Sequence, residues 1–113
     1  MKDFNINKII KQFIKSSNAF DIETALTLFA DNAVIDDVSV GEKFMNTAGV
    51  RKYLEKFFVG YKTVTKLVSV EVLDNLNAKA QVDFTGDFGH ETGALNFTFN
   101  TNGLIKTINA YLD

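Results

Sequence analysis

The apolar residues of this chain change their period once, at Gly60. Before that glycine they recur mostly every three or four residues, the spacing that puts them on one stripe of a helix. After it they fall on every second residue, the spacing that puts them on one face of a strand. Helices gathered at one end of a chain and strands at the other cannot build an alternating parallel sheet. They point to an α+β architecture, with helices packed on one face of an antiparallel sheet.

The helical half reads in three segments. Ile6, Ile9, Ile10, Phe13 and Ile14 share a stripe, with Lys8, Lys11, Gln12 and Lys15 opposite. Asp21 stands as an N-cap before a second stripe of Ile22, Ala25, Leu26 and Phe29. Ala33 to Val40 is strand-like. Thr47 is placed to cap a third helix with Val50, Tyr53, Leu54, Phe57 and Phe58 facing inward, and Gly60 stands where a C-cap glycine belongs.

The strand half begins with a long strand, Tyr61 to Leu73, and a turn at Asp74-Asn75-Leu76-Asn77. Ala78, Ala80, Val82 and Phe84 then alternate with Lys79, Gln81, Asp83 and Thr85. Leu95, Phe97 and Phe99 alternate with Asn96, Thr98 and Asn100. Asn102-Gly103 predicts a type I′ hairpin before a last strand, Leu104 to Leu112. The apolar sides must meet the helices. The polar sides (Gln81, Asp83, Thr85, Asn96, Thr98, Asn100, Thr107, Asn109, with Tyr111 beside them) form a hydrophilic face, either solvated or half of a wet interface between two copies.

With 113 residues the chain supports one domain, 1–113, without repeats or linker. Eleven Phe can fill a core or line a pocket. A net charge of −2 with no Lys/Arg run argues against nucleic acid as a partner. The absence of Cys excludes thiolate nucleophiles and Cys-based zinc sites, and one His leaves no recognised metal-ligand spacing, so no metal is expected. No run approaches the ~20 apolar residues of a membrane helix. The expectation is a cytoplasmic protein without membrane contact.

The chemistry-bearing segment is Phe29-Ala30-Asp31-Asn32-Ala33-Val34-Ile35-Asp36-Asp37. Strand alternation puts Ile35 and Asp37 on one face, Val34 and Asp36 on the other. If Ile35 points into the core, Asp37 does too, and it becomes either a general base or a polar anchor in an apolar pocket. The alternative is a rim carboxylate, solvated or paired with a cation such as Arg51. His90, in Asp87-Phe88-Gly89-His90-Glu91-Thr92-Gly93, either bends over the pocket mouth to act with Asp37 or is an exposed turn histidine. Tyr53 and Tyr61 could each offer a phenol.

Four segments together carry a family resemblance: Asn18-Ala19-Phe20-Asp21, Leu28 through Val34, Gly49-Val50-Arg51-Lys52-Tyr53-Leu54, and Asn102-Gly103-Leu104-Ile105-Lys106 followed by Tyr111-Leu112-Asp113. In this order they resemble the SnoaL-like group of the nuclear transport factor 2 superfamily, over nearly the whole chain. The resemblance implies a cone, in which a strongly curved antiparallel or mixed sheet wraps the N-terminal helices and leaves a pocket at its open end. It implies no cofactor. It also implies a homodimer through the polar sheet face.

Among enzymes of that superfamily the chain is most similar to the ketosteroid isomerases. Their base lies in an Ala-x-Val-Glu-Asp pattern, which Ala33-Val34-Ile35-Asp36-Asp37 resembles, so the resemblance gives Asp37 the base position. The donors that those enzymes turn on the oxyanion fall here at Phe13 and Leu95, and the supporting Tyr at Leu54. Losing one such donor costs about 10²–10³ in rate, so ketosteroid isomerisation is not expected. The expectation is a pocket lined by Phe13, Ile35, Tyr53, Leu54, Phe57, Phe84, Leu95 and Phe97, with Asp37 and His90 as candidate catalytic groups. It would take a small hydrophobic or polyketide-like ligand, for acid–base turnover or for binding alone. The remaining alternative is an interaction dimer with a vestigial pocket.

Overall fold

The computed structural model describes residues 4–113. A single six-stranded sheet, in the order β2 (Glu42–Met45), β1 (Phe29–Asp37), β6 (Ile105–Leu112), β5 (Gly89–Phe99), β4 (Asn77–Gly86), β3 (Val64–Val72), curls around one long helix. Strand β1 (Phe29–Asp37) runs parallel to β6 (Ile105–Leu112), and every other neighbouring pair is antiparallel. The sheet is therefore mixed, and with the helices on its inner face it forms the expected α+β cone.

Helix α1 (Ile6–Asn18) starts at Asn5, whose side chain accepts the Lys8 N–H at 3.1 Å. Its buried stripe is Ile6, Ile10, Phe13 and Ile14, with Ile9 at the edge. Against it lie Ala80 and Val82 of β4 (Asn77–Gly86), Leu95, Phe97 and Phe99 of β5 (Gly89–Phe99), and Ile108 of β6 in one continuous core. Asp21 caps the short helix α2 (Ile22–Leu26) as expected, accepting the Thr24 N–H at 3.2 Å and the Thr24 hydroxyl at 2.7 Å.

Several boundaries differ from the sequence reading. Phe29 does not end α2: it opens β1, which stops at Asp37 rather than Val40. The chain turns over Val38 to Gly41, where Gly41 adopts a φ of +68° and donates to the Asp37 carbonyl at 2.9 Å. It then returns as an unforeseen strand, β2 (Glu42–Met45). Only Phe44 is buried there, Met45 beside it is exposed, and two adjacent apolar residues in four carry no period.

Helix α3 (Asn46–Tyr53) begins before Thr47 and takes no side-chain cap. It widens into a π-helical turn, Leu54–Val59. Gly60 ends that turn in the right-handed region, not as a left-handed cap. A Cβ on Gly60 would press against the Lys56 carbonyl oxygen, so the wide turn itself demands glycine. The left-handed residue is Lys62, at φ +54°, and strand β3 starts only at Val64 (Val64–Val72).

The outer face of β4, β5 and β6 is polar as expected. Asn96 donates to the Tyr111 hydroxyl at 2.6 Å, and Thr98 donates to Asn77 at 2.9 Å. Asn100 is the exception. It sits in the β5–β6 turn, where its side chain accepts the N–H groups of Asn102 and Leu104. Only Gly103 has positive φ there, +82°, so the turn is not the two-residue I′ form.

Candidate functional site

At the open end of the cone a cavity of about 350 Å³ lies between the β1–β2 turn, the π-helical turn, the β4–β5 tip and the end of β6. This is the size range of small-molecule sites. Asp37, the last residue of β1, is only 6% exposed. Alternation with buried Ile35 turns its carboxylate into the cone mouth.

Three donors converge on that carboxylate. Oδ1 accepts the Ser39 backbone N–H at 2.9 Å and the Ser39 hydroxyl at 2.5 Å. Oδ2 accepts the buried Tyr53 hydroxyl at 2.6 Å. A carboxylate has about four acceptor sites, so one remains open on Oδ2. Burial pushes the Tyr53 phenol well above its ordinary value, and the adjacent Asp37 charge and hydrogen bond push it further in the same direction. Tyr53 therefore keeps its proton and holds it on Asp37.

Arg51 takes no part in this site. It forks onto Glu23 at the surface, with Nη2 to Oε1 at 3.2 Å and a second contact from Nη1 to Oε2. Ser39 was missed in sequence. Its signal is the Asp-x-Ser spacing, in which an Asp side chain accepts the N–H two residues on and closes a turn.

His90 does not reach the mouth. It pairs with Thr85 across the β4–β5 hairpin, and its neighbour Glu91 is the one that lines the cavity. The imidazole lies on the outer face, 63% exposed, with Nε2 2.5 Å from Asp83. The alternation that turns Glu91 in turns His90 out, so the pairing of His90 with Asp37 is corrected.

The expected lining divides in the same way. Tyr53, Phe57 and Phe84 line the cavity, joined by Phe58, Tyr61 and Phe88. Phe13, Ile35, Leu54, Leu95 and Phe97 do not; they fill the closed end of the cone as core. Phe13 packs edge-on against Phe29, Phe58 and Phe97 at 5.7, 6.4 and 5.9 Å, which leaves no space at that depth. Among the described residues no three His, Cys, Asp or Glu side chains gather as a metal site, and no helix is long and apolar enough to cross a membrane.

No protein-family model matches this sequence, and no curated protein matches it either. Solved structures match closely in shape. A nuclear transport factor 2-like protein of unknown function from Cytophaga hutchinsonii superposes with a TM-score of 0.82 at 12% identity, over 99% of this chain and 93% of that one. A putative polyketide cyclase from Sinorhizobium meliloti gives 0.83 at 18% identity, over 95% and 99%. A Mycobacterium tuberculosis protein in complex with estradiol-17β-hemisuccinate gives 0.82 at 18% identity, over 93% and 91%. The chain has the nuclear transport factor 2-like fold.

Proposed function

We propose that this protein binds a small, mostly apolar molecule in the cone mouth, with Asp37 as the buried acceptor that orients it. The observation that carries this reading is a buried carboxylate with one open acceptor site, set in the wall of a cavity lined mainly by aromatic side chains. The estradiol derivative bound by one structural neighbour and the cyclase description of another support a ligand in this fold. Binding stands ahead of turnover because the donors beside Asp37 are already committed. Tyr53 and Ser39 both give their hydroxyl protons to Asp37. That arrangement supplies a base whose neighbouring donors are already spent, and leaves only the half-exposed Tyr61 phenol of the lining to meet a developing oxyanion.

The test is a neutral fluorescent probe such as Nile red. One site per chain is expected, and Val40→Trp, which fills the cavity from its half-open turn, is expected to weaken binding at least about tenfold. Equal binding by the variant, or none by the native chain, removes the reading. The polar outer face is the surface through which we propose that two copies pair. Light scattering at micromolar concentration checks this, and a mass of 12.6 kDa, one chain, counts against it.

A further inference from the structure

Six aromatic rings follow the cavity wall in one unbroken arc. Centroid distances are 6.1 Å from Phe88 to Tyr61, 6.1 Å from Tyr61 to Phe57, and 5.0 Å from Phe57 to Tyr53. They continue at 6.1 Å from Tyr53 to Phe58 and 6.4 Å from Phe58 to Phe84. Among the described residues the charged side chains in the lining are Asp37 at the buried end and Glu91 at the exposed end, both acidic. Lys56 Nζ stands 5.3 Å from the Phe57 centroid, but its side chain is not part of the lining.

The two carboxylates set the sign of charge that this wall favours, and any ring face turned to the cavity adds to it. A ring face is negative at its centre and attracts a cation. Two carboxylates attract a cation and repel an anion, more strongly where water is excluded. The hydroxyls nearest the buried end add no donor for an anion, because Tyr53 and Ser39 donate to Asp37 and Thr63 donates to the Phe57 carbonyl at 2.6 Å. What remains open at depth is an acceptor, the free site on Asp37 Oδ2.

We infer that the ligand of this cavity is an organic ammonium. Its charged head lies between Asp37 and Glu91, and its hydrocarbon body lies against the ring arc. A primary or secondary amine gives an N–H to Asp37 Oδ2, while a quaternary head relies on the ring faces and the two charges. The inference rests on the binding role proposed above and adds to it the sign of the ligand's charge.

The experiment is calorimetric titration of the native chain with three probes that share one phenylbutyl body: 4-phenylbutylammonium, 4-phenylbutan-1-ol and 5-phenylpentanoate. The ammonium is expected to bind at least about tenfold tighter than the alcohol, and the carboxylate weakest of all. Asp37→Asn is expected to remove most of that preference while leaving alcohol binding in place. If this variant does not fold, Glu91→Gln at the exposed rim is expected to reduce the preference in the same direction, and added salt to weaken only the ammonium. Equal binding of ammonium and alcohol, or tighter binding of the carboxylate, overturns the inference and leaves the binding role standing. No binding by any of the three overturns both.

Discussion

Phe97→Ala is expected to destabilise the fold by about 3–5 kcal/mol, the range for truncating a fully buried aromatic. Phe97 is 1% exposed near the end of β5, with Ala78 and Ile108 beside it on the neighbouring strands. Its ring packs edge-on against Phe13 at 5.9 Å and stacks on Phe99 at 6.1 Å. Close-packed surroundings relax only partly around a lost ring, so the cavity adds to the lost burial. Phe57→Ala is the control. Phe57 is half-buried and faces an existing cavity, so its loss creates little new void and is expected to cost less than half as much. Urea unfolding of both variants decides the matter, and equal losses would mean that Phe97 does not sit in a close-packed core.

That pair also marks where the sequence stops informing. Phe57 and Phe97 both lie on inward stripes, and periodicity assigns both to the interior. Periodicity gives inside or outside; it does not give depth along the cone. Depth comes from the strand pairing of β5 with β6 and of β6 with β1, contacts between residues far apart in sequence. For the same reason Asp37 was legible as an inward acid, while its partner Tyr53 could be named only as one of two candidate phenols. The hydrogen bond joins residues sixteen apart, through a strand, a turn and a helix. The features lost altogether were local irregularities. The four-residue β2 is too short to show a period, and the bulge between Leu67 and Ser69 breaks alternation in β3, leaving Val68 exposed. His90 failed differently. Its Gly-flanked segment reads in sequence as a hairpin tip or a bulged strand, which leaves its facing open between the pocket mouth and solvent; in the structure the strand runs from Gly89 and His90 is exposed.

Gly93→Val is expected to cost about 3 kcal/mol, the upper end for overpacking a close-packed site, and to weaken probe binding in the cavity at least about tenfold. Gly93 lies in β5 between Val82 of β4 and Leu112 of β6. A Cβ there would run into the Tyr111 carbonyl oxygen and stand 3.1 Å from the Leu112 Cα. Both are backbone atoms, so no side-chain rotation relieves the clash. The Asp113 N–H, which bonds the Thr92 carbonyl at 2.9 Å, holds the end of β6 against β5 at this point. Glycine inside a strand marks a place where another backbone comes close or the sheet bends sharply. Here that approach sets the mouth, because Leu112 on β6 and Glu91 on β5 both line the cavity. Pushing β6 away would displace that wall and strain the β5–β6 ladder together. Gly41→Ala provides the comparison, since a Cβ at Gly41 meets nothing within 4 Å and only its φ of +68° resists a side chain, at about 1–2 kcal/mol. If Gly93→Val unfolds no more easily than Gly41→Ala and still binds Nile red as the native chain does, the close approach of β6 does not shape the pocket.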